Sequence, residues 1–134
     1  MFVLDPVLEK DTITLCDLSL CRVLLMNDSQ YPWFILVPMK ADVREVIDLT
    51  EVEQQLLWVE SAKLNQMLRE LYSPHKLNIA ALGNMVPQLH VHHIARFTDD
   101  AAWPKPVWGI NPPKPYNDET IADIKTKVLA CLHK

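Results

Sequence analysis

Three of the five histidines in this 134-residue chain lie within four residues of one another, in the segment 88–96, which reads QLHVHHIAR. The branched apolar residues between the histidines favour a β-strand. Successive side chains of a strand point to opposite faces, so we expect Gln88, His90 and His92 on one face and His93 on the other. Same-face neighbours are roughly 7 Å apart. Two imidazoles and a carboxamide are therefore expected in a row, while the opposite face begins a core.

This row of histidines has three interpretations. A single histidine in a strand is usually a packed, hydrogen-bonded structural residue. A pair at His90 and His92 also suits zinc, but zinc usually takes three or four ligands, and no Cys or acidic residue lies close in sequence. In the third interpretation one imidazole is a nucleophile or a general acid or base, and its neighbour orients it. Spacing alone leaves all three open.

Composition narrows the class of protein. The length, with 49% apolar and 22% charged residues, is typical of one globular domain. A net charge of −4 gives no indication of a nucleic-acid-binding surface, and two glycines are too few for a P-loop or a dinucleotide-binding loop. Three cysteines without metal-type spacing favour a reducing compartment. We expect no signal peptide and no membrane span, because no apolar stretch reaches roughly 18 residues.

The remaining sequence shows alternating strand and helix patterns. A short helix is expected after Asp5 as N-cap, with Pro6 at its first position and its end near residue 10. Apolar and β-branched runs predict four more strands, at residues 12–16, 19–26, 33–37 and 77–82. The run 33–37 is the most apolar, so we expect it at the centre of the sheet and covered on both faces.

Two longer helices are expected. Thr50 and Glu53 have the capping-box form and begin a helix that should run to residue 71. Its apolar stripe, with Trp58 as an added core residue, is expected to face the sheet and consists of Val52, Leu56, Val59, Leu64, Met67, Leu68 and Leu71. A final helix is expected over residues 117–132. The proline-rich region 98–115 before it carries Trp103 and Trp108, which either line a pocket or partner surface or simply pack.

The histidine segment resembles the signature of the histidine triad (HIT) family, His-φ-His-φ-His-φ-φ, in which φ is apolar. The strands at residues 22–27 (RVLLMN) and 35–38 (ILVP) resemble the family's first nucleotide-binding strand pair, and the long helix and the segment 78–84 follow in the family's order. The resemblance covers most of the chain. It implies one α+β domain over residues 1–134, with the HIT-like antiparallel sheet, a long helix and a C-terminal helix.

The resemblance also implies roles for individual residues. Alignment on the segment 94–96 (IAR) places Gln88 at the first triad position, His90 at the middle and His92 at the last. His90 would then be the nucleophile that forms a covalent nucleotidyl-histidine, and His92 would contact the phosphate oxygens or the leaving group. Gln88 keeps hydrogen-bonding capacity but cannot relay a proton as histidine does.

Two asparagines complete the site that the resemblance implies. Asn27 matches the acidic or amide residue that bonds the ribose hydroxyls. Asn84 lies in the turn where the family places a polar contact to the phosphate or leaving group. The family's upstream Gly-His pair falls on Pro32-Trp33, so the upstream histidine is absent as well as the first triad histidine.

The implied function is that of a nucleotide hydrolase or nucleotidyl transferase acting at the α-phosphate. A nucleotide phosphoramidase or a dinucleoside polyphosphate hydrolase is expected, and neither a metal nor another cofactor is required. The alternative is a non-catalytic nucleotide-binding regulatory dimer that lost activity together with its first triad histidine. The expected partner is a nucleotide or nucleotide conjugate, not a nucleic-acid polymer or a membrane, and a cytoplasmic homodimer is expected.

Overall fold

A single antiparallel sheet forms the frame of the molecule in the computed structural model, which describes residues 1–133. The strands are β1 (Thr12–Asp17), β2 (Cys21–Met26), β3 (Trp33–Pro38), β4 (Lys76–Ala80) and β5 (Val91–Arg96). The helices are α1 (Pro6–Asp11), α2 (Glu51–Tyr72) and α3 (Asp118–Leu132), and a short 3-10 turn spans Val46–Asp48. The strands lie in the order β1-β2-β3-β5-β4, which makes β4 an edge strand next to the histidine-bearing β5.

Each helix begins at a side-chain cap. Asp5 Oδ1 accepts the Val7 N–H at 2.8 Å ahead of Pro6, as the sequence predicts for α1. Thr50 and Glu53 form the predicted reciprocal capping box of α2. The predicted helices and strands are therefore present, and their ends differ from the predicted ones by a few residues. Within residues 1–133, no helix combines the length and apolar character needed to cross a bilayer.

Both faces of the sheet are covered. α2 and α3 pack on one face, where Val23, Phe34 and Val91 belong to the main core. α1 and the loop after β5 cover the other face over a second cluster that includes Ile35 and Ile94. All six residues of β3 are buried, which confirms its predicted central position.

The buried face of α2 differs from the predicted stripe. Val52 and Val59 are 73% and 63% exposed, and Trp58, expected in the core, is 51% exposed. The buried positions are Leu57, Glu60, Ser61, Leu64, Met67 and Leu68. The buried face of α2 is rotated relative to the predicted one, because two polar side chains on it bind the sheet. Glu60 accepts the N–H groups at the start of β2, and Ser61 binds a histidine of β5.

Candidate active site

His90 and His92 lie side by side beneath a cavity of about 370 Å³. Their ring centroids are 4.9 Å apart, and the side chains are only 7% and 4% exposed. β5 begins at Val91, so His92 is held by the sheet whereas His90 belongs to the irregular segment just before it. The cavity wall also includes Asn84, which is exposed in the turn between β4 and β5. The structure therefore brings together three of the predicted site residues.

The hydrogen bond of His90 determines which ring nitrogen carries its proton. His90 Nδ1 lies 2.7 Å from the backbone carbonyl oxygen of Gln88. A carbonyl oxygen can only accept, so Nδ1 must carry the hydrogen and donate it. In the neutral ring Nε2 is then unprotonated, and its lone pair is available to attack an electrophile.

His92 has the opposite tautomer. Its Nδ1 lies 2.9 Å from Trp33 Nε1, and because an indole N–H can only donate, Nδ1 accepts and the proton of the neutral ring is on Nε2. Burial, with smaller contributions from the neighbouring His90 and His93, lowers the pKa of His92 to about 3. The ring also packs edge-on against Trp108, with centroids 5.0 Å apart. At neutral pH His92 is thus a neutral N–H donor rather than a cation.

The carboxamide of Gln88 is bonded to the N-terminal segment. Its Oε1 accepts the Asp5 N–H at 2.8 Å and its Nε2 donates to the Val3 carbonyl oxygen at 2.9 Å. Residue 88 precedes β5, so strand geometry does not constrain its side chain. The carboxamide instead attaches the N-terminal segment, while the backbone carbonyl orients His90.

His93 lies on the opposite face of β5, as predicted. Its Nδ1 donates to the Val91 carbonyl oxygen at 3.0 Å, and its Nε2 therefore accepts from the Ser61 hydroxyl at 2.7 Å. Burial lowers the pKa of His93 to about 4, although the Val91 hydrogen bond opposes the shift. This pair is completely enclosed and links α2 to the sheet. His93 thus has the structural role of a buried, hydrogen-bonded histidine.

Asn27 lines a second cavity, of about 400 Å³, next to the first. Asn27 Oδ1 accepts the Tyr116 N–H at 2.9 Å. Three residues line both cavities: Asp11, Met26 and Trp108. The two cavities therefore adjoin across these side chains, with the histidines on one side and Asn27 on the other.

Arg96 anchors the loop that brings Trp108 to the site, a role that the sequence analysis missed. Its side chain is 1% exposed and pairs with Asp100 through Nε–Oδ2 and Nη2–Oδ1 bonds of 2.8 and 3.1 Å. It also donates to Asn78 Oδ1 at 2.9 Å and to the Lys105 carbonyl oxygen at 2.7 Å. The available sequence indication was an arginine inside an apolar strand followed by an aspartate four residues later.

Asp100 organises the same loop from the other side of this ion pair. Its carboxylate accepts three backbone N–H groups, those of Phe97, Ala102 and Trp103. Burial by itself would raise the pKa of Asp100, but the guanidinium and these N–H groups lower it to about 2. The loop after β5 is therefore built around a buried, fully hydrogen-bonded charge pair.

The potential metal ligands of the described residues are dispersed. Among residues 1–133, no three His, Cys, Asp or Glu side chains are grouped so that they could hold a metal ion. The Trp33 N–H fixes His92 with its proton on Nε2, so His92 has no free nitrogen lone pair for a metal. In the part of the chain that the structure describes, the zinc interpretation of the histidine pair thus has no third ligand.

Comparison with known proteins identifies the family. A family model described as HIT domain matches residues 7–99. The chain belongs to the histidine triad (HIT) domain family. This family includes nucleotide hydrolases and nucleotidyl transferases, and some of its members are not catalysts. No curated protein matches the sequence.

Solved structures of other histidine triad proteins show the same fold as this HIT protein. The one from Marinobacter aquaeolei is 50% identical, with a TM-score of 0.97, and the match covers 99% of this chain and 97% of that one. The one from Bradyrhizobium japonicum is 45% identical, with a TM-score of 0.96 and 98% of each chain covered. The one from Sinorhizobium meliloti is 43% identical, with a TM-score of 0.94 and 96% of each covered. These likenesses confirm the predicted α+β fold.

Proposed function

We propose that this HIT protein hydrolyses or transfers nucleotides at the α-phosphate through a covalent nucleotidyl-His90 intermediate. The observation that carries the proposal is the hydrogen bond from His90 Nδ1 to the Gln88 carbonyl oxygen. It leaves Nε2 unprotonated in the neutral ring, beside a cavity large enough for part of a nucleotide. A neutral imidazole is a competent nucleophile near pH 7, because its ordinary pKa is about 6.5.

The proposed reaction has two displacements at phosphorus. His90 Nε2 attacks the α-phosphorus, the Nε2–P bond forms, and the bond to the leaving group breaks with its electron pair on the leaving group. Water, or another acceptor in a transfer reaction, then attacks the same phosphorus and loses a proton to solvent. The P–Nε2 bond breaks with its electron pair on Nε2, which releases neutral His90. A covalent intermediate divides one difficult displacement into two easier ones.

His92 is proposed to donate its Nε2–H to a phosphoryl oxygen or to the leaving group. This differs from a charged histidine, because burial and the Trp33 N–H keep the ring neutral. A fixed donor aimed at developing negative charge stabilises a transition state without reorganisation of solvent. Gln88 is proposed to position the nucleophile through its backbone carbonyl oxygen rather than to act through its carboxamide.

The nucleoside is proposed to occupy the cavity of Asn27, so that the α-phosphate reaches His90 across the shared wall. Trp108 lines both cavities and offers an aromatic surface between them. Asn84 lies on the histidine side, where it can contact the phosphate or the leaving group. The substrate is proposed to be a nucleotide phosphoramidate or a dinucleoside polyphosphate.

The test is a hydrolysis screen of adenosine and guanosine phosphoramidates and dinucleoside polyphosphates, with His90→Ala as the critical variant. We expect loss of turnover with nucleotide binding retained, and a nucleotide adduct in intact-mass spectra of the wild type alone after an acid-free quench. His133→Ala, an exposed histidine at the end of α3, is the matched control and should keep activity. Equal turnover in His90→Ala and wild type would exclude the covalent mechanism. Tight nucleotide binding without turnover or adduct would support the non-catalytic regulatory alternative.

A homodimer that pairs its sheets at β4 is proposed as the assembly. β4 is an edge strand, and such edges readily pair with another chain. Ile79 on this strand is 44% exposed, and Trp58 on α2 is 51% exposed. Light scattering should show a dimer that Ile79→Asp weakens, and a monomeric wild type would contradict this assembly. Within residues 1–133, Cys16 and Cys21 form no disulfide, which supports a reducing, cytoplasmic location.

A further inference from the structure

The hydrogen bond between Trp33 and His92 is enclosed by aromatic rings. The Trp33 indole N–H donates to His92 Nδ1 at 2.9 Å, and the two residues are 6% and 4% exposed. Trp108 packs edge-on against both rings, with centroid distances of 5.7 Å to Trp33 and 5.0 Å to His92. Water is therefore kept away from this bond and does not readily replace the indole.

This bond prevents His92 from carrying a second proton. An indole N–H can only donate, so a proton on His92 Nδ1 would place two N–H groups against each other. Burial lowers the pKa of His92 and disfavours the cation as well. The neutral ring can release its Nε2 proton only by becoming a buried anion, which is costly. His92 can therefore donate a hydrogen bond, but it cannot transfer a proton.

Among residues 1–133, the other side chains that line the histidine cavity supply no proton either. The titratable residues in its wall are Asp11, His90 and His92. An ionised carboxylate, such as that of Asp11, can only accept. The proton of the neutral His90 ring is bonded to the Gln88 carbonyl oxygen, and the other ring nitrogen is the proposed nucleophile. A leaving group in this cavity thus has to depart without a proton from the protein.

We propose that Trp33 is a positioning residue that holds His92 as a neutral donor and thereby restricts the protein to leaving groups that depart as stable oxyanions. The inference rests on the proposed nucleotidyl-His90 function and deepens it, because it selects anhydrides of a nucleoside monophosphate over phosphoramidates. When the P–O bond of an anhydride breaks, the electron pair stays on an oxygen that is stable as an anion. When a P–N bond breaks, the electron pair is left on a nitrogen that has to take up a proton, and the cavity wall offers none.

The experiment varies only the leaving group. AMP, or GMP if it binds more tightly, is supplied as its 4-nitrophenyl ester, its phenyl ester and its phosphoramidate, and kcat/KM is measured for each. Phenolate is a stronger base than 4-nitrophenolate and gains more from protonation, which contributes about 10²–10⁴-fold where a general acid acts. The wild type should therefore cleave the 4-nitrophenyl ester at least about 100-fold faster than the phenyl ester. It should not turn over the phosphoramidate. A smaller ratio between the esters, or turnover of the phosphoramidate, would overturn the proposal.

Trp33→His tests the role of the indole. A histidine can accept as well as donate, so it allows His92 to carry a second proton on Nδ1. We expect the ratio between the two esters to fall by at least about tenfold, as a general acid becomes available. Trp58→His is the matched control, because Trp58 is 51% exposed on α2 and lines neither cavity. It should keep the wild-type ratio, and melting temperatures will show whether the variants are folded.

A spectroscopic measurement tests the proposal even if Trp33→His does not fold. Nitrogen-15 NMR of the wild type at neutral pH should show His92 with an unprotonated Nδ1 and a protonated Nε2. A protonated Nδ1, or an unchanged ester ratio in folded Trp33→His, would overturn the role of Trp33 while leaving the nucleotidyl intermediate intact. If no ester is cleaved and no adduct forms on His90, the proposed function fails, and this inference with it.

Discussion

The buried pair of Arg96 and Asp100 allows a sharp test of how the site loop is held. Asp100→Ala removes the two oxygens that neutralise a guanidinium that is only 1% exposed. The Asn78 and Lys105 oxygens remain bonded to the guanidinium, but neither carries a charge. Three backbone N–H groups of the loop also lose their acceptor.

The expected loss in the free energy of unfolding follows from the charge that Asp100→Ala leaves unpaired. Removing one partner of a buried ion pair typically costs about 3–5 kcal/mol, because the other charge stays buried. With an unfolding entropy of about 2.1 cal/mol/K per residue, a chain of this length has an entropy near 0.28 kcal/mol/K, so about 4 kcal/mol lowers the melting temperature by roughly 14 °C. Asp100→Asn, which keeps one acceptor oxygen, should lose less.

Thermal and urea unfolding followed by circular dichroism measure this loss. Asp99→Ala is the matched control, because Asp99 is the adjacent, exposed acid and should change stability by only about 0.5 kcal/mol. If Asp100→Ala unfolds within about 1 kcal/mol of Asp99→Ala, the loop is not held by this ion pair and the reasoning is refuted.

Four further predictions concern the site. The free energy of unfolding should fall as the pH drops from about 6.5 towards 4, because His92 has a pKa of about 3 when folded and takes up a proton on unfolding. Urea titrations should show a smaller pH dependence in His92→Gln, and an identical dependence would contradict the lowered pKa. Gln88→His should leave the ratio of kcat/KM between substrates with good and poor leaving groups unchanged, because the side chain of residue 88 is bonded to the N-terminal segment. A selective gain for substrates with poor leaving groups would show that a histidine at this position relays protons. Gln88→Ala should speed amide exchange at Asp5. Turnover should survive exhaustive EDTA treatment. A loss of turnover that one equivalent of a metal ion restores would contradict this prediction.

The local patterns of the sequence were sufficient to predict the helices and the strands. The Thr50–Glu53 capping box and the Asp5–Pro6 start of α1 depend on bonds between residues a few positions apart, so the sequence itself specifies them. The opposite faces of His92 and His93 follow from strand alternation in the same way.

Tertiary structure decided the long-range contacts of the site residues and of α2. The partners of the Gln88 carboxamide lie 83 and 85 residues away in sequence, and the Trp33 donor to His92 lies 59 residues away. The rotation of α2 likewise depends on Glu60, which binds N–H groups about 40 residues earlier. Periodicity cannot predict such bonds, because they form only when the sheet order brings distant segments together. The sequence by itself therefore determined the helices, the strands and the spacing of the histidines, and the fold decided the tautomers and charges of the histidines and which of them face the cavity.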